Sequence, residues 1–194
     1  MGDSMEQFVD YLSESGKAHL FLETFGILQA AETAKKYHAG QLRKYTNEPY
    51  IVHVWGVAGL VYGVSEDISM VQAALLHDTV EDTDLTLQNI EEQFGETVAT
   101  LVRWLTDISK PEDGNRKVRK NIDREHIAAA PAEAQTIKLA DLIDNTKTIA
   151  LLDPDFARVY MKEKRELLEV LIKGDVGLHA IAVKLCDWYD KSQK

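Results

Sequence analysis

The residues best suited to chemistry in this chain are the histidine and three carboxylates of residues 77–82, which read HDTVED. If this segment is helical, its histidine lies one turn from Glu81, and Asp78 lies one turn from Asp82. Carboxylates held this close repel one another, so the cluster needs a cation to stabilise it. Residues 45–102 contain no Lys or Arg, which leaves the cluster without a basic partner nearby in the sequence. We therefore predict that a divalent metal ion binds here.

A metal site needs ligands from several segments, because a single helical turn cannot surround an ion. The candidates are histidines and carboxylates in apolar surroundings, where burial without a partner would be costly. His53 follows the residues PYIV, the pair at 77–78 follows AALL, and Asp141 lies within IKLADLI. Together they offer two imidazoles and two carboxylates, which suit Mn²⁺, Fe²⁺ or Zn²⁺ with positions open for water and substrate. A lone histidine in an apolar helix is more often a hydrogen-bonded core residue, so the prediction rests on the whole set.

The elements that must position these residues are helices. Hydrophobic residues follow the helical period almost throughout, and no run alternates as a half-buried strand would. The chain has 194 residues, of which 45% are hydrophobic and 28% are charged. This composition, without a linker or a repeat, predicts one all-α domain spanning residues 1–194. We expect helices over residues 5–13, 18–38, 50–63, 68–82, 86–94, 96–109, 116–128, 133–150, 155–173 and 176–190.

The composition also excludes several classes of function. Cys186 is the only cysteine, so neither an internal disulfide nor a cysteine-based zinc site can form. The formal net charge of −10 argues against a nucleic-acid polymer as partner, although a phosphorylated nucleotide needs only a local basic pocket. No apolar run has the length of a membrane span and the N-terminus lacks a signal pattern, so we expect a cytoplasmic protein without membrane contact. The sequence leaves formation of a homo-oligomer open.

The sequence blocks around these residues resemble the HD-domain metal-dependent phosphohydrolases. The resemblance lies in the spacing from His53 to the pair at 77–78 and on to Asp141. The blocks HAGQLRK, PYIVH, HDTVEDT and KLAD, followed by Asn145, are similar to the hydrolase domain of RelA/SpoT proteins. Stand-alone small alarmone hydrolases of the metazoan SpoT homologue type are similar in size. The resemblance covers residues 30–150 and implies an HD-type bundle of about 8–10 helices.

This resemblance implies an activity and a set of catalytic residues. The family hydrolyses guanosine-3′,5′-bis(diphosphate), ppGpp, to GDP and pyrophosphate with a metal-activated water. Glu81 and Asp82 match the acidic pair that positions or deprotonates this water. One Mn²⁺ is the expected cofactor, with Fe²⁺ or Zn²⁺ as alternatives, and its ligands match His53, His77, Asp78 and Asp141. The residue types agree with this chemistry, since a metal ion lowers the pKa of bound water and a carboxylate can accept the proton.

The resemblance also implies substrate-binding residues. Arg43 and Lys44 match basic residues near the phosphates and base of the substrate. Lys138 belongs to the KLAD block, and Asn145 matches a residue near the nucleotide. A second basic group occupies residues 110–124, and we hypothesise that one or more of its side chains closes over a polyphosphate. The alternative for this group is a solvated, charged helix face.

Three residues depart from the family pattern. Val54, Leu142 and Asp144 stand where RelA/SpoT relatives usually have proline, arginine and histidine. The last two predict a changed pocket wall, and Asp144 also competes with Asp141 as a metal ligand, although the motif favours Asp141. Other functions therefore stay open. They are hydrolysis of a nucleoside mono- or triphosphate or of the 2′-phosphate of NADPH, nucleotide binding without catalysis, and a purely structural role.

Overall fold

The chain folds into helices packed around one long central helix, and a computed structural model describes residues 18–193. The helices are α1 (Ala18–Tyr37), α2 (Ile51–Tyr62), α3 (Ile68–Leu76), α4 (Thr79–Asp82), α5 (Leu87–Phe94), α6 (Glu96–Leu105), a 3₁₀ turn (Pro111–Asp113), α7 (Arg116–Ala129), α8 (Ala132–Leu152), α9 (Pro154–Leu168) and α10 (Val176–Ser192). No strand occurs in this part of the chain, so the all-α prediction is confirmed. The helix predicted over residues 5–13 lies outside the described residues. None of the described helices is both long and apolar enough to cross a membrane.

The central helix is α8, which packs against α2, α3, α6, α9 and α10. Apolar and small side chains lie on all of its sides, and every residue from 134 to 143 except Lys138 is buried. Each Leu or Ile side chain that is fully buried in this way contributes roughly 1.5–3 kcal/mol to stability. Such packing carries the polar side chains of α8 into the interior, where they need partners.

Two helix ends, the start of α9 and the end of α5, are explained by capping residues that are visible in the sequence. Pro154 occupies the first turn of α9, and the Asp153 side chain accepts a hydrogen bond from the backbone N–H of Phe156. An N-cap carboxylate followed by proline is a favourable helix start. Gly95 has a φ of 88°, a left-handed conformation that ends α5 after Phe94.

The helix predicted over residues 68–82 is wrong in one respect, because it is interrupted. α3 ends before His77 and α4 begins after Asp78, so both residues lie at the break. The Thr79 hydroxyl donates to the Leu76 carbonyl at 2.7 Å and so satisfies one of the carbonyls that the end of α3 leaves free. Neighbouring residues of a regular helix diverge by about 100°. The break allows two adjacent side chains to reach one site.

Two further helices end earlier than predicted. α6 stops at Leu105 rather than at residue 109, and the backbone N–H groups that follow donate to the Asp123 carboxylate on α7. α9 stops at Leu168 rather than at residue 173, and Lys173 Nζ donates to three carbonyls at the end of α7. Both ends are set by contacts with distant segments, which a local hydrophobic pattern does not contain.

Candidate metal centre and active-site cavity

The four predicted ligands converge between α2, α3 and α8. His53 lies on α2, His77 and Asp78 lie at the break after α3, and Asp141 lies on α8. His53 Nε2 is 3.4 Å from Asp141 Oδ1 and 3.5 Å from Asp78 Oδ2. His77 Nε2 is 3.0 Å from the same Asp78 oxygen. One ligand atom from each of His53, His77 and Asp141 lies within 4.8 Å of the others, so these three form a group able to hold a metal ion.

In their neutral form, the two imidazole rings present lone pairs to this space. His77 Nδ1 donates to the Ala74 carbonyl at 2.8 Å, so the neutral ring carries no proton on Nε2. His53 Nδ1 likewise donates to Asp144 Oδ2 at 2.7 Å. Both Nε2 atoms are buried without a hydrogen-bond partner among the described residues. Buried lone pairs beside carboxylates are the donor set of a divalent cation, so the residues fit the expected metal.

Without a cation, protons occupy the same position. Burial opposes a charged imidazole, but the surrounding carboxylates of Asp141, Asp144 and Asp78 outweigh it and raise the pKa of His53 to about 11. Burial also disfavours ionised Asp141, yet Lys138 and the imidazoles hold the pKa of this carboxyl below its usual range. A divalent ion therefore has to displace protons when it binds.

Tyr50 is a site residue that the sequence analysis missed. Its hydroxyl donates to Asp78 Oδ2 at 2.6 Å, and its ring makes an edge contact with His53, with 5.4 Å between ring centroids. Burial and the charge of Asp78 raise the pKa of Tyr50, so the phenol keeps its proton and continues to donate. The available signal in the sequence was its position three residues before His53 in the PYIVH block.

Asp144 lies behind His53, on the side away from the predicted ligands. Its Oδ2 accepts the hydrogen bond from His53 Nδ1, and Arg43 approaches the same oxygen at 3.9 Å. It does not line the cavity, so it forms no part of a changed pocket wall, whereas Leu142 does line it. The position of Asp144 also leaves Asp141 as the carboxylate of α8 that faces the two Nε2 atoms. A carboxylate placed like this fixes the tautomer and the orientation of a ligating imidazole.

Replacing Asp144 with Ala should weaken metal binding although no predicted ligand is removed. We expect the Kd for Mn²⁺ to rise by roughly 10–100-fold, because His53 loses the acceptor that orients its ring. Titration of metal-free protein, followed by electron paramagnetic resonance of free Mn²⁺, measures this change. Asp155→Asn, which alters an exposed carboxylate on α9, should leave the Kd unchanged. An unaltered Kd in D144A would contradict the orienting role.

The two acids predicted to handle the water lie on α4 in different surroundings. Glu81 lines the cavity and accepts a hydrogen bond from the backbone N–H of Asp107. Burial and the charge of Asp107 raise the pKa of Glu81 to about 7. Asp82 is exposed, as Glu81 is, but it does not line the cavity and accepts a hydrogen bond from Gln41 Nε2 at 3.0 Å. Glu81 is therefore the better placed of the two to accept a proton near neutral pH.

Two of the predicted ligands, Asp78 and Asp141, line a cavity of about 340 Å³, whereas His53 and His77 are not among its lining residues. Lys138 and Asn145, which were both predicted to bind the substrate, also line this cavity. Lys138 Nζ donates to Asp141 Oδ2 at 2.8 Å, and Asn145 Nδ2 donates to Asp141 Oδ1 at 2.5 Å. Both oxygens of Asp141 thus accept hydrogen bonds from side chains on the same helix, at the i−3 and i+4 positions.

Arg43 and Lys44, the other predicted substrate-binding residues, do not line the cavity. Arg43 donates to Asn145 Oδ1 at 2.9 Å and to Thr148 Oγ1 at 3.2 Å, and only 12% of its side chain is exposed. Lys44 has a 75% exposed side chain, and its Nζ lies over the ring of Phe156, which does line the cavity. Arg43 is therefore a fixed cation beside Asn145. Lys44 is a long, exposed side chain next to Phe156 at the edge of the cavity.

The basic segment of residues 110–124 contributes part of the wall of the cavity. Three of its basic side chains line the cavity, and each has a carboxylate partner: the pairs are Arg116 with Glu163 at 2.8 Å, Arg124 with Glu166 at 2.8 Å, and Lys120 with Asp107 at 2.6 Å. Seven carboxylates and five basic side chains line the cavity in all. A basic side chain of this wall can reach a phosphate only by leaving its carboxylate partner. Closure of this segment over a polyphosphate stays a prediction.

Comparison with known proteins defines the class of this protein. Residues 30–170 match the HD domain family, and the chain belongs to it. The chain is 38% identical over 164 residues to the guanosine-3′,5′-bis(diphosphate) 3′-pyrophosphohydrolase of Aquifex aeolicus (strain VF5), which covers 84% of this chain and 23% of that protein. It is 35% identical over 160 residues to the bifunctional (p)ppGpp synthase/hydrolase SpoT of Escherichia coli (strain K12), which covers 81% and 22%. The chain thus spans less than a quarter of the length of these relatives.

Solved structures share the fold over most of the chain. A metazoan ortholog of SpoT, which hydrolyzes ppGpp and plays a role in starvation responses, superposes with a TM-score of 0.74 at 29% identity. The superposition covers 82% of this chain and 93% of that one. A Listeria monocytogenes EGD-e protein superposes with a TM-score of 0.63 at 24% identity, which bears on the fold alone. The helical HD-domain fold predicted from the sequence is confirmed.

Proposed function

We propose that this protein is a metal-dependent phosphohydrolase that converts ppGpp and water to GDP and pyrophosphate. The observation that carries the proposal is the pair of buried Nε2 atoms on His53 and His77, which face Asp78 and Asp141 in the wall of a cavity. The similarity to ppGpp hydrolases, at 35% and 38% identity in two relatives, supports ppGpp as the substrate. The similarity to the metazoan SpoT ortholog also supports this substrate, because the superposition covers 93% of that solved chain.

One divalent ion would be held by His53, His77, Asp78 and Asp141. Mn²⁺ is our first candidate, because a mixed set of imidazoles and carboxylates suits it, and Fe²⁺ and Zn²⁺ are the alternatives. When bound, the ion lowers the pKa of a water molecule and adds positive charge beside the reacting phosphate. Tyr50 keeps Asp78 in place through its short hydrogen bond, and Asp144 does the same for His53.

Glu81 would accept a proton from the attacking water. Its carboxylate lies in the cavity wall, and a pKa raised to about 7 allows it to take up and release a proton near neutral pH. The water oxygen bonds to the phosphorus next to the ribose 3′-oxygen, and the bond between that phosphorus and the 3′-oxygen breaks. The 3′-oxygen leaves as a hydroxyl by taking up a proton, which the protonated Glu81 would return, so the proton gained from water is balanced. Asp82 would assist in placing the water from its position next to Glu81 on α4.

The substrate would lie against α8, from Lys138 past Asn145. Lys138 supplies positive charge beside Asp141, where the transferring phosphate would sit. Arg43 would contact the nucleotide from a fixed position, because its hydrogen bonds to Asn145 and Thr148 hold the guanidinium before any ligand arrives. A cation that is already ordered loses little entropy on binding, so it adds more to affinity than a free one.

Turnover of Mn²⁺-loaded protein on ppGpp tests this proposal directly, with products separated by ion-exchange chromatography. We expect GDP and pyrophosphate in equal amounts. Release of orthophosphate would instead favour a monophosphatase acting on another phosphate group. Absence of turnover in protein that retains its metal would exclude ppGpp, and nucleoside triphosphates and NADPH would be the next substrates to test.

A further inference from the structure

Arg43 lies next to the candidate metal centre, in a loop that fixes its backbone. This loop, between α1 and α2, folds back on itself through an antiparallel bridge between Leu42 and Pro49. Within it, the Arg43 N–H donates to the Glu48 carbonyl at 2.8 Å, and the Arg43 carbonyl accepts from the Asn47 N–H at 3.0 Å. The side chain is only 12% exposed. The backbone that carries the guanidinium is therefore held on both sides.

Two of the side-chain contacts of Arg43 are with residues of α8 that hold predicted metal ligands. Arg43 donates to Asn145 Oδ1 at 2.9 Å, and the Asn145 amide in turn donates to Asp141 Oδ1. Arg43 also approaches Asp144 Oδ2 at 3.9 Å, and this oxygen accepts the hydrogen bond from His53 Nδ1. Displacement of the guanidinium would therefore loosen the groups that orient one imidazole and one carboxylate of the metal centre.

A third contact leads to the remaining carboxylate ligand. The Arg43 guanidinium lies over the Tyr50 ring, 5.9 Å from its centroid, a distance at which a cation is attracted to the face of the ring. The Tyr50 hydroxyl donates to Asp78 Oδ2 at 2.6 Å. His77 differs from the other predicted ligands, because its ring is oriented by the Ala74 carbonyl of the main chain. One cation thus contacts the side chains that support three of the four predicted ligands.

We propose that Arg43 is a positioning residue of the metal centre, in addition to the nucleotide contact proposed above. Its guanidinium would hold Asp144, Asn145 and Tyr50 in the orientations from which they direct three ligands. Supporting groups of this kind do not touch the ion, but they set the orientation and the basicity of the ligands that do. A planar guanidinium suits this task, because it presents several donors in a fixed fork, whereas an ammonium is a point charge. The inference rests on the proposed metal centre and is independent of which substrate the protein hydrolyses.

The charge of Arg43 and its positioning role predict opposite effects on metal affinity. A fixed positive charge close to the centre repels a divalent cation, so removal of the charge alone should lower the Kd of the metal. Loss of the positioning contacts should raise this Kd, because the ligands would be less well ordered. The direction of the change in Kd therefore separates the two effects.

Titration of metal-free, full-length protein with Mn²⁺ in the absence of nucleotide, followed by electron paramagnetic resonance, tests this proposal. We expect the Kd to rise roughly three- to tenfold in Arg43→Gln, which is less than the roughly 10–100-fold typical of a group bonded directly to a ligand. Arg43→Lys keeps the length and the charge but loses the fork, so its Kd should rise as well. Lys44→Gln, which removes the exposed cation next in the chain, should bind Mn²⁺ like the wild type.

The resonance spectrum of the bound ion gives a second measurement that a general loss of stability would not affect. At saturating Mn²⁺, this spectrum should change in both Arg43 variants, because three ligands change their orientation around the ion. It should stay the same in Lys44→Gln. Thermal unfolding of the metal-free proteins shows which variants are folded, and Arg43→Lys carries the test if Arg43→Gln is not.

Two outcomes would overturn the proposal. One is a Kd that is unchanged or lower in the folded Arg43 variants, since the charge alone would then account for the residue. The other is absence of binding of Mn²⁺, Fe²⁺ and Zn²⁺ to the wild type, which would overturn the metal centre as well. A wild type that binds Mn²⁺ without hydrolysing ppGpp would refute the proposed substrate alone, because the Kd still measures the role of Arg43.

Discussion

Replacing His77 with Ala should leave the protein without bound metal and without phosphohydrolase activity. The His77 ring is held by its hydrogen bond to the Ala74 carbonyl, so its Nε2 atom is fixed toward Asp78. Loss of one of four ligands should reduce the metal content from about one equivalent per chain to about a tenth or less after gel filtration. Elemental analysis of the purified variant measures the metal, and ppGpp turnover measures the activity.

A matched control separates loss of the ligand from a general effect of losing a histidine. His179 on α10 also forms a hydrogen bond to a backbone carbonyl, at 2.9 Å from Leu168, and does not line the cavity. His179→Ala should therefore retain the metal. Asp141→Ala should behave like H77A, and full metal occupancy in either variant would refute the proposed ligand set.

Replacing Glu81 with Gln should preserve the metal and reduce turnover by about 10²-fold or more, because the amide cannot accept a proton. The shape of the side chain is retained, and an amide oxygen can still accept the hydrogen bond from the Asp107 N–H. Glu91→Gln, which alters an exposed carboxylate on α5, is the control and should leave turnover unchanged. A wild-type rate in E81Q would remove Glu81 from the proton-transfer role.

The pH dependence gives the same residue a distinct signature. The ionised carboxylate is the active form, so turnover of the wild type should rise with pH. The midpoint should lie near 7 or below it, because a bound cation lowers the pKa of Glu81. Its pKa is higher in the folded state than the ordinary value of 4.5, so ionisation of Glu81 destabilises the fold as the pH rises through 7. Metal-free E81Q should therefore be more stable than the wild type at pH 8, as measured by thermal unfolding.

The local sequence pattern is enough to predict the helices and the candidate metal ligands, because both depend on neighbouring residues. His53 and Asp141 stand out as polar residues in apolar helices, and the structure buries both. The break at 77–78 was not predicted, since the hydrophobic period continues across it. The break depends on side chains that donate hydrogen bonds to carbonyls at the end of the helix, as the Thr79 hydroxyl does.

The hydrogen-bond and ion-pair partners that come from distant segments are the part of the site that could not be predicted from the sequence. Asp144 was expected in the pocket wall, yet it orients His53 from 91 positions further along the chain. The basic segment of residues 110–124 was expected to offer free cations, but acids on α9 and the loop after α6 pair with those that line the cavity. Such pairings depend on how helices pack, and a single sequence carries no record of that.

The excess of carboxylates in the active-site cavity has a kinetic consequence. An anionic nucleotide that approaches the ion-free cavity meets seven carboxylates and only five basic groups, and the proton on His53 offsets just one of the two carboxylates in excess. Repulsion at short range in a partly buried site is strong, so the nucleotide should enter well only after the divalent ion has arrived. Loading would then be ordered, with the ion first and the nucleotide second. In a cell, such an enzyme would respond to two concentrations together, that of its substrate and that of its metal.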